Sequence, residues 1–254
     1  MAPVRKPLQG LWNVVRFNWH FYLIASVLAL ALTVAAGAAA PIWRGCILLL
    51  LSLGLLSVLA SLAVSAYVYD FSGLYRLSWL PAFVPAPAAV LTINAGFDEI
   101  STVLRHRFAE AGLLAVDFYD PTRHTEVSID RARRAYPPFP GTRPVDTRAA
   151  LPLADNSVDL AVAFLAAHEI RDADERAAFF QEIRRVTKPS GCLVVVEHLR
   201  DTANFLAYTI GFLHFHSRRT WLTTFERAGL RVTQETHLTP FLTGFVLQKN
   251  DSTA

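Results

Sequence analysis

Two long uncharged segments near the start of this chain constrain its fold more than anything that follows. Phe21–Ile42 and Cys46–Tyr69 contain no Asp, Glu, Lys, Arg or His. Each is long enough to cross the hydrocarbon core of a bilayer as a helix. A helix satisfies its own backbone hydrogen bonds, which is what allows such a run to remain in lipid. Only Trp43-Arg44-Gly45 separates the two, so they are read as a tight transmembrane helical hairpin. Two alternatives are weaker. A hairpin buried in a soluble protein would need more chain to cover it than this protein has. A cleaved signal peptide would suit Arg5, Lys6 and Arg16 ahead of a run ending in Ala38-Ala39-Ala40-Pro41, but the run is long for that role and a second span follows at once.

Charge orients the hairpin. Arg5, Lys6 and Arg16 precede the first span and Arg76 follows the second, whereas the turn carries Arg44 alone. The positive-inside bias then places both termini, and the large domain, in the cytoplasm. The expected division is a basic N-terminus over residues 1–20, spans at 21–42 and 46–69, a juxtamembrane connector at 70–88, and a second domain at 89–250. Pro81–Pro87 is the proline-rich, helix-breaking part of that connector. The hairpin accounts for a hydrophobic share of 53%, high for an ordinary soluble domain. A net charge of +3 gives no reason to expect nucleic acid as a partner, and two isolated cysteines, Cys46 and Cys192, suggest neither a disulfide framework nor a metal site.

From Ala89 onward the patterning changes. Ala89–Ile93, Leu114–Asp117, Pro144–Asp146, Val158–Phe164 and Cys192–Val196 are read as strands, and Asp98–Gly112, Asp130–Ala135 and Glu169–Val186 as helices between them. Lys188-Pro189-Ser190-Gly191 is expected to stop the last helix and turn the chain into the next strand. Arg219–Ala228 reads as a helix, and Leu230–Thr236 with Phe241–Gln248 as a closing antiparallel pair. Strand and helix alternate, which predicts a mostly parallel α/β sheet.

The wording of one stretch is more specific. Asp155-Asn156-Ser157 leads into Val158-Asp159-Leu160, and Arg185-Val186-x-Lys188-Pro189-x-Gly191 precedes Leu193 and Glu197. This passage resembles the later half of class I S-adenosylmethionine (SAM)-dependent methyltransferases, of the methyltransferase type 11 or ubiquinone/menaquinone methyltransferase kind. The resemblance covers roughly Ala89 to Lys249 and implies a Rossmann-like sheet, SAM as cofactor and a methyl acceptor as substrate. It also implies where the cofactor lies: Asn94, Ala95 and Gly96 in the first strand-to-helix loop, Asp117 at the end of the second strand against the ribose, and Asp146-Thr147 against the adenine edge. Asp120 is the alternative ribose carboxylate. The loop differs from the family pattern: Thr92 stands in place of the usual acid, only Gly96 falls on a glycine position, and Phe97 and Asp98 are departures. Phe164 either covers the cofactor or packs in the core.

Methyl transfer requires the acceptor to be aligned and, often, deprotonated. Glu197-His198-Leu199-Arg200-Asp201 leaves the fifth strand at the right edge of the sheet, which makes His198 the candidate base and Arg200 a candidate anchor for an acceptor oxygen; the alternative is a loop whose charges pair with one another. His214 and His216 alternate with aromatics and are candidates for an acceptor pocket. Their alternation also suits a metal-binding strand, but no Cys or further His stands at ligand spacing, so no metal is expected. His168-Glu169 is expected to order its turn. Phe205–Leu213 is apolar enough for a lid towards the membrane, or for ordinary core. With the hairpin, these readings predict a membrane-anchored methyltransferase acting on a lipid-like or isoprenoid-type acceptor, or a methyltransferase-like module that tethers and binds without catalysis.

Overall fold

The computed structural model describes residues 5–81 and 86–250, so the middle of the expected proline-rich connector, residues 82–85, lies outside the described part. The two apolar runs form helices α2 (Trp19–Ala38) and α3 (Pro41–Ala66). They pack antiparallel, but the break falls at Ala39-Ala40, both extended, and not at Trp43-Arg44-Gly45. Pro41 takes the first position of α3, where its missing N–H costs nothing. Arg44 therefore sits inside α3 and reaches back to the carbonyl oxygens of Ala36 (3.0 Å) and Ala39 (3.3 Å), satisfying acceptors that the end of α2 leaves open. The hairpin's side chains are bare: Leu30, Ile42 and Leu56 are each more than 60% exposed. Both helices are long and apolar enough to cross a membrane.

α3 does not end in a loose tether. It runs on through a π-helical turn, Tyr67–Phe71, and a 3-10 turn, Leu74–Arg76. Val68, Leu74, Leu77 and Leu80 are buried against Val90, Leu104, Leu160 and Val194, on one face of the sheet. The hairpin is thus packed directly onto the second domain.

The N-terminal segment adds an element that its basic charge did not announce, helix α1 (Gln9–Phe17). Asp70, from the π-helical turn, accepts from the backbone N–H groups of Gly10 (2.8 Å) and Leu11 (2.9 Å), so a carboxylate meets the positive end of the helix. Gly10 is required there, since a Cβ would lie 2.3 Å from that of Tyr69. Asp70→Ala is expected to cost about 1–2 kcal/mol, read as a lower unfolding midpoint in detergent, with Asp70→Asn costing less because one acceptor is retained.

The second domain is a seven-stranded sheet of order β3-β2-β1-β4-β5-β7-β6. Its strands are β1 (Ala89–Asn94), β2 (Gly112–Asp117), β3 (Arg143–Pro144), β4 (Val158–Phe164), β5 (Thr187–His198), β6 (Leu230–Thr239) and β7 (Leu242–Lys249). All pairs through β5 are parallel, and β7 is antiparallel to both neighbours. Helices α4 (Ser101–Arg107), α5 (Val127–Ala135), α6 (Ala173–Val186), α7 (Thr202–Tyr208) and α8 (Arg218–Arg227) complete the layers. On one face, Phe179, Phe180 and Ile183 of α6 and Trp221 and Phe225 of α8 are fully buried against Leu193, Phe245 and Leu247. The expected turn at Lys188–Gly191 is instead a bulge within β5: pairing skips from Val158–Thr187 to Leu160–Cys192. Gly191 permits it, because a Cβ would sit 2.7 Å from the Asp159 carbonyl oxygen. Strand order reverses between β1 and β4, and in such sheets ligands bind beyond the strand ends at that point.

Candidate active site

At this switch point a cavity of about 550 Å³ opens. One wall comes from the strand ends: Ala95 and Phe97 after β1, Phe164, Leu165, His168 and Glu169 after β4, and His198 at the end of β5. The other wall comes from the N-terminal helices, with Phe17 of α1, Phe21 and Tyr22 of α2, and Ser57, Ser61 and Ser65 of α3. Those serines are four residues apart and so lie on one helix face, covering about 12 Å of its length.

His198 is buried in this wall, 4% exposed. Its Nδ1 faces two acceptors, Oδ1 of Asn204 (3.0 Å) and the Phe241 carbonyl (2.9 Å), so Nδ1 carries the hydrogen. Nε2 then accepts from the hydroxyl of Tyr69 at 3.0 Å. Burial lowers its pKa to about 4, opposed by the Asn204 hydrogen bond. The ring is therefore neutral at pH 7, as a base must be, and its free lone pair is shared with a tyrosine from the end of the hairpin. Tyr69, Tyr208 and the nearby charge of His168 are the titratable groups around it. Because the folded pKa lies below the usual 6.5, the fold favours the neutral ring: this contribution is complete above about pH 6.5 and is lost as pH falls towards about 4. Denaturation at stepped pH is expected to show about 3 kcal/mol lost over that window from this residue, and His198→Asn is expected to flatten it.

His168 and Glu169 form a 3-10 turn directly after β4. Nδ1 of His168 bonds Oε2 of Glu197 at 2.7 Å, and its backbone N–H donates to Oε1 of the same residue at 3.2 Å. Glu197 is fully buried. Burial pulls the pKa of His168 down, but Glu197 and Glu169 outweigh it and raise the value to about 10. Glu169 is pushed up by burial, and hydrogen bonds from His168 and His214 hold it instead well below the usual carboxylate range.

The remaining expected residues divide. His214 reaches this cluster, with Nε2 at 3.2 Å from Oε1 of Glu169. His216 does not: it packs edge-on against Trp221 and accepts from Arg176, away from the cavity. Arg200 also points elsewhere, its guanidinium donating to the carbonyls of Leu213 (2.6 Å) and Phe215 (2.8 Å), so it pins the segment before α8. Phe164 lines the cavity and stacks on Trp79 at 5.9 Å. The apolar stretch Phe205–Leu213 is divided between α7 and a 3-10 turn, Thr209–His214, with Leu206 and Ile210 exposed and Ala207 buried.

Beside the cavity, Gly96 has φ +93° and donates to Oδ1 of Asp117 at 2.8 Å. Oδ1 also accepts from Tyr119 N–H, while Oδ2 pairs with Arg133 of α5 at 2.5 Å. Asp120, the alternative carboxylate, caps its own turn through Thr122 and is exposed to solvent through its side chain. The Asn94 amide is directed at Asp98 and the Val116 carbonyl. Asp146 is exposed and accepts from Arg148 N–H. Thr147 is buried and donates to Glu175, which also holds Arg123 and Arg148.

Residues 91–195 match the family model described as a methyltransferase domain. By this match the chain carries a methyltransferase domain on its α/β sheet. Solved structures similar to this methyltransferase include a putative methyltransferase from Haloferax volcanii in complex with the Trm112 activator (16% identity, TM-score 0.50, 75% of this chain and 94% of that one). Another is the 4+2 cyclase SpnF (18% identity, TM-score 0.50, 70% and 80%). A SAM-dependent methyltransferase from Aquifex aeolicus aligns at 18% identity and a TM-score of 0.49 over 71% and 94%. No curated protein matches the sequence.

The match to a methyltransferase domain indicates S-adenosylmethionine as the cofactor, which when bound would supply a methyl group on a positively charged sulfur. Asp117 and the Ala95-Gly96 turn stand together at the switch point, where a ribose carboxylate and a close-approach loop are expected. They also show what must yield. A Cβ on Gly96 would meet Ile129 at 2.7 Å and the Tyr119 ring at 2.9 Å, so α5 and its preceding loop lie over the glycine while Arg133 holds Asp117. α5 and the loop before it thus pack over the Gly96 turn and Asp117.

Sequence reasoning missed Tyr69 and Glu169 as cavity-lining groups and Glu197 as the buried partner of His168. Tyr69 reads as an interfacial aromatic, and its partner His198 is 129 residues away. His168-Glu169 and Glu197-His198 were visible as charged pairs at strand ends; their convergence was not.

Proposed function

We propose that this methyltransferase is anchored in the membrane by its hairpin and transfers a methyl group to a lipid-like or isoprenoid-type acceptor at the cytoplasmic face. The shared cavity carries the reading. Its catalytic-domain wall holds His198 and the strand ends, and its opposite wall is the spanning hairpin, so an acceptor with an apolar tail could reach the site without leaving the bilayer. Ser57, Ser61 and Ser65 supply hydroxyls along that path. Anchoring raises the effective concentration of a membrane acceptor, which a freely diffusing domain would lack. His198 takes the acceptor proton, directly or through the Tyr69 hydroxyl, and the neutral tautomer suits that role. The basic residues that flank the spans support an orientation with both termini on the cytoplasmic side.

The test uses the full chain in vesicles made from a bacterial lipid extract, with methyl-labelled SAM. Label is expected in the lipid fraction, and a 14-dalton mass increment identifies the acceptor. Saturable SAM binding with no labelled lipid would favour a second reading, a methyltransferase-like module that binds without catalysis. The observation behind that reading is the hold of Arg133 on Asp117. Absence of saturable SAM binding at millimolar ligand would overturn the methyl-transfer reading.

A further inference from the structure

The most unusual chemistry in the described residues is not at the expected cofactor loop but beside it. His168, Glu169 and His214 each offer a ligand atom within 4.8 Å of the others. Nε2 of His168 is 3.3 Å from Oε1 of Glu169, and Nε2 of His214 is 3.2 Å from that same oxygen. The two imidazoles meet edge to face, with centroids 5.0 Å apart. They come from different elements: His168 and Glu169 follow β4, and His214 closes the 3-10 turn Thr209–His214. This explains why ligand spacing in the sequence gave no sign of them.

Two further observations point to a cation. The first is Glu197, which is fully buried and spends its carboxylate on the other side of His168, at Nδ1. A carboxylate that fixes one imidazole nitrogen and turns the other towards a cluster is the support usually found behind a metal-bound histidine. The second is charge. Glu126 lies 3.0 Å from Nδ1 of His214, so three carboxylates, Glu126, Glu169 and Glu197, converge on two imidazoles. The exposed guanidinium of Arg171 rests against the His214 ring and donates to its carbonyl. As an exposed side chain, it can be displaced by a smaller and more strongly charged ion.

We propose that His168, Glu169 and His214 bind a divalent cation of the zinc class through their converging atoms, with Glu197 and Glu126 holding the far ring nitrogens of the two histidines. Two imidazoles and one carboxylate suit a borderline ion such as Zn²⁺ better than Mg²⁺ or Ca²⁺, which prefer oxygen donors. His168 and Glu169 line the cavity, so the ion's open position faces it. There it would hold an acceptor oxygen as a Lewis acid, or tie the 209–214 segment to the end of β4.

The test titrates metal-free full-length protein in detergent with Co²⁺ and then Zn²⁺. One equivalent of Co²⁺ is expected to give the visible absorption of a low-coordinate site, and Zn²⁺ to displace it. His214→Ala, on a half-exposed segment, is expected to keep the fold and to weaken binding at least 10-fold. Glu197→Gln is expected to weaken it about 10- to 100-fold. His106→Ala, on the exposed side of α4, is expected to leave it unchanged. Sub-stoichiometric binding, or binding that His214→Ala and His168→Ala leave unaltered, would overturn the proposal.

Discussion

Replacing Glu197 by alanine is expected to destabilise the metal-free protein by about 3–5 kcal/mol, because it strands a charged imidazole in a buried site. Glu197 is completely enclosed and accepts both the ring nitrogen and the backbone N–H of His168. No water can replace it without opening the end of β4. Glu197→Gln retains an acceptor for one of those hydrogens and is expected to lose about half as much. Chemical denaturation of both variants in detergent, at a pH near neutrality, measures the difference. If alanine costs no more than a surface substitution, the carboxylate is not holding His168. The position matters beyond stability, since Glu197 immediately precedes His198 and lies behind the cavity wall on which the proposed chemistry depends.

The second large effect concerns the cofactor. Asp117→Ala is expected to raise the dissociation constant for SAM by about 10- to 100-fold, or roughly 1.4–2.8 kcal/mol. It removes the carboxylate that stands beside Gly96 at the ends of β1 and β2. Arg133→Ala is expected to act in the opposite direction and tighten binding several-fold, because Asp117 is then free of its 2.5 Å partner. Titration calorimetry with the three proteins gives the answer. Opposite shifts support α5 as a cover over the adenosine end. If neither variant differs from the unsubstituted chain, Asp117 does not contact the ribose and the cofactor is held elsewhere.

Much of the architecture could be read from local rules. The buried strands β1, β4 and the later part of β5 are near-continuous apolar runs rich in Val, Leu and Ala, as a parallel sheet covered on both faces requires. Helix α6 shows its inward face through Phe179, Phe180 and Ile183 at helical spacing, and Asp172 caps it. Where expectation and structure part, longer-range contacts decide. Lys188–Gly191 has turn composition, yet pairing with β4 draws it into a bulge. The N-terminal segment becomes α1 because Asp70, 60 residues away, caps its first turn. Arg200 stands next to the site in sequence, but the carbonyls of Leu213 and Phe215 draw its side chain away.

Sequence alone determined three things about this protein: two helices apolar enough to span a bilayer, an alternating α/β domain, and the later motifs of a SAM-dependent methyltransferase. The first two follow from composition and short-range periodicity, which act within one helix or one strand; the third is a resemblance carried by residues 155–160 and 185–197. The tertiary structure decided the rest. It placed Tyr69 of the hairpin on His198, gathered His168, Glu169 and His214 around one point, and laid α5 over Asp117. Those contacts join residues tens to more than a hundred positions apart, and each depends on how the layers pack; no local preference of either partner encodes the meeting.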